Sequence, residues 1–336
     1  MGQQTFNILI AGLGSIGRRH LRNLRLLGHK DLVLYRTGHS TLPDDDQVNM
    51  LIENDLAAAL DQRPQATVIA NPTALHLPVA LAAARAGCHL FIEKPVSHAM
   101  EGLDQLAAIV RSQKLRVLVG FQFRFHPGLC VIKRLIDDGA IGPIVCAHSH
   151  WGEYLPDWHP GEDYQQSYSA RAELGGGVLL TLCHPFDYLR WLLGEVRSVT
   201  AVTGQLSGLN LDVEDTADIV LQFESGAIGS VHLDYIQRPA SHWLQITGQT
   251  GTIHWDNMDG VVRCYRVDHK EEDIIPPPAD FERNTMFMTE MRHFLDCIAG
   301  RAEPAITLDD GIQALRIALA AKRSAVEERL IKVYDD

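Results

Sequence analysis

"ILIAGLGSIGRRH" (residues 8–20) joins an apolar strand pattern to a helical pattern through a glycine-rich turn. It contains three glycines in the spacing G-x-G-x-x-G: Gly12, Gly14 and Gly17. The first allows a tight turn, the second lets the backbone approach a pyrophosphate, and the third lets helix and strand pack closely. The amides of Ser15 and Ile16 would lie at the positive helix end, where phosphate binds. The stretch therefore predicts a dinucleotide-binding unit.

The first third of the chain continues this alternation of strand and helix. Apolar strand patterns recur at residues 6–12, 31–36, 66–71, 89–94 and 116–122. Helical patterns lie between them at residues 15–28, 75–87 and 99–113. Repeated strand–helix–strand units form right-handed crossovers and a parallel sheet. We predict a doubly wound α/β Rossmann domain over residues 1–123.

The alternation of single strands and helices ends after about residue 123. Helical patterns lie at residues 127–138, 175–194, 283–299 and 309–329. Strand patterns, many with period-two alternation, lie at residues 143–151, 196–204, 216–224, 227–236, 242–248, 251–256 and 261–267. Such alternation is typical of an antiparallel sheet with one solvated face. We predict a second domain over residues 124–336, of α+β type, with a large, mainly antiparallel open sheet.

Two smaller expectations concern the end of the chain. "EEDIIPPPAD" (residues 271–280) reads as a stiff, exposed loop because of its prolines and charges. In the last helix, apolar residues recur at helical spacing and predict a packed face. These residues are Ile312, Leu315, Leu319, Val326 and Leu330.

Composition limits the possible partners. The 336 residues carry a formal net charge of −12, which argues against nucleic acid or an anionic membrane surface as the main partner. No apolar run reaches the ~20 residues that span a bilayer. The six cysteines are scattered and the first residues lack a signal-peptide pattern, so we expect a reducing, cytoplasmic location.

The second strand ends in Tyr35-Arg36-Thr37, about where an acidic residue would hold the adenosine ribose of NAD. A guanidinium and a hydroxyl suit the 2′-phosphate of NADP instead. Arg36 could alternatively cover the adenine ring without discriminating between the two cofactors. We expect NADP(H) to be favoured, with NAD(H) possible.

"ANPTALH" (residues 70–76) follows the third of these predicted strands. Asn71 and Thr73 are candidates for bonds to ribose or phosphate. His76 begins the next helix, and it is either a cofactor contact or a packed, capping ring. We include all three among the candidate cofactor-binding residues.

Glu93-Lys94-Pro95 ends the strand at residues 89–94. That edge of an open α/β sheet is where ligands bind, so Lys94 would face the nicotinamide and could stabilise a developing alkoxide. Glu93 and Lys94 are also candidate cofactor contacts. "GGGVLLTLCHPFDYLRWLLG" (residues 175–194) supplies His184, which could exchange a proton near neutral pH.

These motifs, together with "GFQFRFHP" (residues 120–127), resemble the Gfo/Idh/MocA family of NAD(P)-dependent oxidoreductases over essentially the whole chain. The resemblance implies oxidation of a sugar or polyol hydroxyl, or the reverse reduction. It also implies a homodimer or homotetramer formed through the C-terminal sheet. By the same resemblance Lys94 and His184 are catalytic and Arg124 lies near the substrate.

One departure from the family pattern concerns the residues before His184. Family members often carry an aspartate three or four positions earlier, where this chain has Thr181 and Leu180. The missing carboxylate could mean altered pKa tuning, another substrate or weakened catalysis. Two alternatives therefore stay open, a transient-redox glycosidase or epimerase and a cofactor-binding sensor that has lost catalysis.

The aromatic loop "WGEYLPDWHPGEDY" (residues 151–164) is the candidate substrate loop. Tyr154 and Trp158 suit stacking against a sugar ring, and Thr181 joins Lys94, Arg124 and His184 as a candidate substrate contact. Acidic and histidine side chains in and beside this loop suggest a metal, but their spacing fits no ligand pattern and hydride transfer requires none. We expect no metal.

Overall fold

The computed structural model describes residues 5–38 and 50–334, which form two sheets flanked by helices. In this part of the chain the first sheet has six parallel strands in the order β3-β2-β1-β4-β5-β6. The strands are β1 (Ile8–Ala11), β2 (Leu32–Tyr35), β3 (Leu51–Glu53), β4 (Ala66–Ile69), β5 (His89–Glu93) and β6 (Val117–Gly120). This order confirms the predicted doubly wound Rossmann fold.

In the described part of this region, four helices connect the strands: α1 (Ser15–Leu26), α2 (Leu56–Asp61), α3 (His76–Arg85) and α4 (Leu103–Gln113). β3 and α2 were not predicted from the sequence. β3 has only three residues and its apolar side chains Leu51 and Ile52 are exposed, so no buried strand pattern marks it. α2 has only six residues, which is too short for a clear helical period.

The second sheet has nine strands within the described residues, in the order β14-β13-β12-β11-β7-β10-β9-β8-β15. They are β7 (Ile144–Gly152), β8 (Val196–Gly204), β9 (Thr216–Phe223), β10 (Ile228–Asp234), β11 (Ser241–Gly248), β12 (Gly251–Asp256), β13 (Val262–Arg266), β14 (Glu272–Ile275) and β15 (Ile331–Lys332). β7 and β10 pair in parallel, and the other neighbours are antiparallel. The predicted mainly antiparallel sheet is confirmed.

Five helices accompany this sheet: α5 (Pro127–Asp137), α6 (Val178–Thr181), α7 (His184–Leu193), α8 (Arg283–Ile298) and α9 (Leu308–Glu327). The last two return to the first sheet, since a Cβ atom at Gly311 of α9 would lie 2.8 Å from the Val119 side chain. Phe294 of α8 likewise packs on Phe91 of β5, with ring centroids 5.6 Å apart.

Three local predictions were wrong. The helix predicted over residues 175–194 is divided into α6 and α7, because Pro185 lacks the N–H that would continue the helical ladder. Part of the predicted loop at residues 271–280 is β14, which pairs with β13 at the sheet edge. Val326 is 78% exposed, and Leu330 lies beyond α9, so the packed face of that helix ends earlier than its apolar period suggested.

Candidate active site

The glycine turn has the geometry that its spacing predicted. Gly12 has φ +97°, and a Cβ atom there would lie 2.6 Å from the Asn71 backbone nitrogen. A Cβ atom at Gly17 would lie 2.1 Å from the Gly12 carbonyl oxygen. Gly14 precedes α1, and apart from its two chain neighbours no described residue lies within 4 Å of its Cβ position. The turn is therefore closed towards the sheet and open where Ser15 and Ile16 begin α1.

The other candidate cofactor residues lie on the same carboxyl edge of the first sheet. Arg36 follows β2 and its backbone N–H donates to the Glu53 carbonyl over 3.0 Å. Thr37 beside it is exposed. After β4, the Asn71 side chain donates to the Leu75 carbonyl over 3.2 Å, and Thr73 is buried. All four residues follow the carboxyl ends of the two strands that flank β1, which leads into the glycine turn.

His76 is placed differently from a cofactor ligand. Its Nδ1 lies 2.8 Å from the Pro95 carbonyl oxygen and its Nε2 lies 2.8 Å from the Asn71 carbonyl oxygen. Burial lowers the pKa of the ring. Both ring nitrogens are engaged by the backbone, so His76 connects the loop after β4 to the loop after β5.

Glu93 is buried at the end of β5 and both of its oxygens are engaged. Oε1 lies 2.6 Å from Nε2 of His20, and Oε2 accepts the Lys94 backbone N–H over 3.2 Å. Gly120, its register partner on β6, leaves the space for this carboxyl, since a Cβ atom there would lie 3.1 Å from it. His20 was not among the predicted site residues. Its only sequence signal is its position three residues after the last glycine of the turn.

Lys94 reaches across to the break between α6 and α7. Its Nζ donates a hydrogen bond of 2.6 Å to the Thr181 carbonyl oxygen. In a continuous helix that carbonyl would accept the N–H of residue 185, and Pro185 has none. The helix break therefore leaves the Thr181 carbonyl without a helical N–H donor, and the Lys94 ammonium donates to this carbonyl instead.

The ammonium of Lys94 stays charged at neutral pH. Burial acts to lower its pKa, but the acidic groups around it together raise the pKa above its ordinary value of 10.5. Those groups belong to Tyr168, Cys183, Glu93 and Glu153. A positive charge is thus held at the carboxyl end of β5, where it can donate to a substrate oxygen.

His184 begins α7, and its ring is packed among aromatic side chains. Its ring lies against Phe121, Phe123 and Trp151 at centroid distances of 5.5, 4.9 and 5.4 Å. Burial first, and then the charge of Lys94, lower its pKa well below 6.5. The imidazole is therefore neutral at pH 7, so it can accept a proton but does not repel a positively charged nicotinamide.

The Arg124 guanidinium is bound on all of its nitrogens by other groups of the protein. Its Nη2 and Nε donate to the two oxygens of Asp187 over 2.6 and 2.9 Å, and Nη2 also reaches Asp310 at 3.2 Å. Its Nη1 donates to the Ala305 carbonyl over 3.2 Å. Burial lowers the pKa of the guanidinium, but the two carboxylates outweigh it and raise the pKa. The structure makes Arg124 a buried structural cross-link between the 3₁₀ turn after β6, α7 and α9.

The aromatic loop lies beside Lys94 and His184, but its residues differ in exposure and contacts. The Trp158 ring packs edge-on against the Tyr235 ring, with centroids 5.6 Å apart. The Arg238 guanidinium lies over the Tyr154 ring, 4.0 Å from its centroid. Glu153 accepts the indole N–H of Trp151 over 2.8 Å. Since Trp151 stacks on His184, this pair joins the candidate site, although the sequence analysis gave Trp151 no role.

The described ranges, 5–38 and 50–334, contain no cluster of three or more histidine, cysteine, aspartate or glutamate side chains arranged to bind a metal ion. Their helices are also either too short or too polar to cross a bilayer.

Models of one protein family match most of the chain. Residues 6–121 match the oxidoreductase family model for an NAD-binding Rossmann fold, and residues 131–254 match the GFO/IDH/MocA C-terminal domain. The first domain is thus a nicotinamide-dinucleotide-binding domain. The second match covers α6, α7 and most of the second sheet.

Similar proteins extend over the full length. Myo-inositol 2-dehydrogenase of Thermotoga maritima is 26% identical and aligns with 97% of this chain and 98% of its own. Levoglucosan dehydrogenase of Pseudarthrobacter phenanthrenivorans is 26% identical over 79% of both chains. The solved structure of a levoglucosan dehydrogenase with NADH and levoglucosan has the same fold, with a TM-score of 0.88 and 22% identity over 99% of this chain and 100% of that one. The two domain models and the full-length relatives agree that this chain belongs to the Gfo/Idh/MocA family of oxidoreductases, as its motifs indicated.

Proposed function

We propose that this protein transfers a hydride between a nicotinamide cofactor and a secondary alcohol carbon of a sugar or polyol. In the oxidising direction the alcohol loses a hydride to C4 of the nicotinamide and a proton to the protein, which leaves a ketone. The observation that carries the proposal is the Lys94 ammonium held by the Thr181 carbonyl beside a neutral His184. Inositol and levoglucosan dehydrogenases among the relatives support the substrate class.

The two side chains take complementary roles. His184 accepts the hydroxyl proton because its imidazole is neutral at pH 7. Lys94 donates a hydrogen bond to the same oxygen and stabilises the negative charge that develops as the proton leaves. Tyr154, Trp158 and Thr181 are the proposed substrate contacts around them. Arg124 stabilises this arrangement by pairing with Asp187, which lies on the helix that begins with His184.

The test of the function starts from nucleotide-free protein supplied with NAD⁺ or NADP⁺ and a panel of inositols, anhydrosugars and aldoses. We expect reduced cofactor to accumulate together with a ketone that mass spectrometry identifies. Conversion of the substrate without net cofactor reduction would instead indicate a transient-redox glycosidase or epimerase. Tight cofactor binding without conversion of any compound would favour a sensor.

The preference between the two cofactors depends on Arg36 and Thr37, and we propose that NADPH binds more tightly than NADH. No acidic side chain follows β2 directly, and a guanidinium can pair with a 2′-phosphate. The solved levoglucosan dehydrogenase complex contains NADH, so this chain would differ from that protein in its preference.

We predict that Arg36→Ala weakens NADPH binding by about 10- to 100-fold, since a charge-assisted pair contributes about 1.5–3 kcal/mol. NADH binding should change by less than about threefold, because NADH lacks the 2′-phosphate. Nucleotide fluorescence titration measures both affinities. Arg85→Ala is the matched control, since Arg85 is exposed at the opposite end of α3. An equal loss for both cofactors would mean that Arg36 only covers the adenine.

We predict that Thr181→Asp moves the acid limb of the pH–rate profile for alcohol oxidation to higher pH, by about one unit. The low pKa of His184 keeps it unprotonated at neutral pH, so the wild-type limb should lie below pH 6.5. A carboxylate three residues away stabilises the imidazolium and raises that pKa. Thr181→Asn has the same shape without the charge and should leave the limb in place. Identical profiles for the Asp and Asn variants would contradict the assignment of the limb to His184.

We also propose that residues 1–123 and 124–336 act as two domains and that the chain forms a homo-oligomer through the second sheet. Apolar side chains on its outer face support this, since Val202, Val220 and Ile228 are 73%, 45% and 53% exposed. Light scattering of the protein used in the turnover assay gives its mass in solution, and a monomer would refute the oligomer.

A further inference from the structure

The Glu290 carboxyl of α8 is an anomaly in the packing between that helix and the first sheet. Its residue is 0% exposed, and neither carboxyl oxygen has a hydrogen-bond partner among the described residues. An unpaired carboxylate in such a place is expensive, so a buried acid of this kind normally keeps its proton or serves a site.

The neighbours of α8 show what Glu290 faces. Phe287 packs against the His20 ring and Phe294 against the Phe91 ring, at centroid distances of 6.5 and 5.6 Å. Glu290 lies three residues after the first and four before the second, on the same helix face. Glu93 shares the face of β5 that Phe91 presents to α8. Glu290 therefore lies on the face of α8 that meets the first sheet, between the residues that contact His20 and Phe91.

The charges around Glu290 favour its neutral form. Burial raises its pKa most, and the carboxylates of Glu93 on β5 and Asp187 on α7 raise it further, well above the ordinary 4.5. Asp187 is already paired with Arg124 of the 3₁₀ turn. On α1, Arg19 lies over the Phe287 ring at 4.4 Å and His20 is bound to Glu93. Glu290 itself has no cation paired with either of its oxygens among the described residues.

One ring nitrogen of His20 also lacks a hydrogen-bond partner among the described residues. Its Nε2 is bound to Glu93, but its buried Nδ1 has no hydrogen-bond partner within the described ranges. We propose that Glu290 is a protonated carboxylic acid that donates a hydrogen bond to Nδ1 of His20 across one buried water. That bond fixes the tautomer in which Nε2–H donates to Glu93. The resulting chain runs from Glu290 through His20 and Glu93 to the Lys94 backbone N–H.

Glu290 is thereby a positioning residue for Lys94. It orients the histidine that orients the glutamate, and Glu93 holds the backbone from which the ammonium reaches Thr181. This consequence for turnover rests on the proposed dehydrogenase function. The protonation of Glu290 and the tautomer of His20 do not depend on that function, so both can be measured in the absence of any substrate.

Infrared spectroscopy tests the protonation of Glu290 directly. The difference spectrum between the wild type and Glu290→Gln at pH 7 should contain the C=O stretch of a protonated carboxylic acid, shifted in D₂O. Glu303→Gln, which replaces an exposed glutamate paired with Arg116, should leave that band in place. Absence of the band from the wild type would overturn the proposal.

Nitrogen-15 NMR of histidine-labelled protein tests the tautomer, with His20→Asn used to assign the signal. We expect the His20 proton on Nε2 in the wild type and in Glu290→Gln, because an amide N–H can also donate to Nδ1. Glu290→Met keeps the volume but removes the donor, so a mixture of tautomers should result. A wild-type proton on Nδ1, or an unchanged tautomer in Glu290→Met, would overturn the proposal.

Kinetics test the consequence for Lys94. Glu290→Met should lower kcat about tenfold with a cofactor Kd within about twofold of the wild type, whereas Glu290→Gln should stay within about twofold for both. A Glu290→Met protein with wild-type kcat would overturn the positioning role. If the wild type turns over no sugar or polyol, the proposed function fails, while the infrared and NMR results still decide the protonation and the tautomer.

Discussion

Lys94→Met is expected to lower kcat by between about a hundredfold and a thousandfold, the range found when one preorganised donor to a developing oxyanion is removed. The methionine keeps most of the volume of the side chain but has no charge to place at the substrate oxygen. It also leaves the Thr181 carbonyl without its 2.6 Å partner. Initial rates with saturating cofactor measure the effect. The Kd for the cofactor, obtained by fluorescence titration, should change by less than about threefold, since we propose that the phosphates bind at the glycine turn.

Two further variants define what the Lys94 result means. Lys133→Met removes a half-buried lysine paired with Asp137 on α5 and should leave kcat unchanged. Lys94→Arg keeps the positive charge but not the shape, so it should recover only part of the rate. A Lys94→Met protein that binds cofactor and retains wild-type kcat would remove Lys94 from the reaction, and with it the observation that carries the proposed function.

Arg124→Met is expected to lower the free energy of unfolding by about 3–5 kcal/mol, because it leaves a buried carboxylate without its partner. Asp187 is 1% exposed, and Arg124 meets both of its oxygens within 3 Å. Urea denaturation followed by circular dichroism measures the loss. The same change removes the cross-link to Asp310 and to the Ala305 carbonyl, which ties the last helix to the candidate site.

The double variant Arg124→Met with Asp187→Leu separates the charge effect from packing. Apolar residues of similar volume often replace a buried ion pair at little cost, so the second change should recover much of the lost stability. If Arg124 lies near the substrate, as the family resemblance implied, a different result is expected. In that case Arg124→Met would raise KM for the sugar while the unfolding midpoint stayed near that of the wild type.

Local sequence patterns were sufficient for the fold and for the edge of the sheet where the site lies. The glycine spacing at residues 12–17 requires one backbone shape, since Gly12 and Gly17 have no room for a Cβ atom. The alternation of strands and helices specifies a parallel sheet whose ligands bind at the carboxyl ends of the strands. Lys94 follows one of those strands directly. Short or exposed elements such as β3 were missed because they bury too little apolar surface to leave a pattern.

The tertiary structure decided which side chains meet in the site. Arg124 meets Asp187 from another helix, and His76 is held between two loop carbonyls, so neither environment has a signature in the neighbouring residues. Glu290 is nearly two hundred residues from Glu93 in the chain, and only the return of α8 to the first sheet brings the two carboxyls together. Local propensity and period act over a few residues and determined the elements of this protein. Partnership, burial and pKa depend on contacts that form only after those elements have packed.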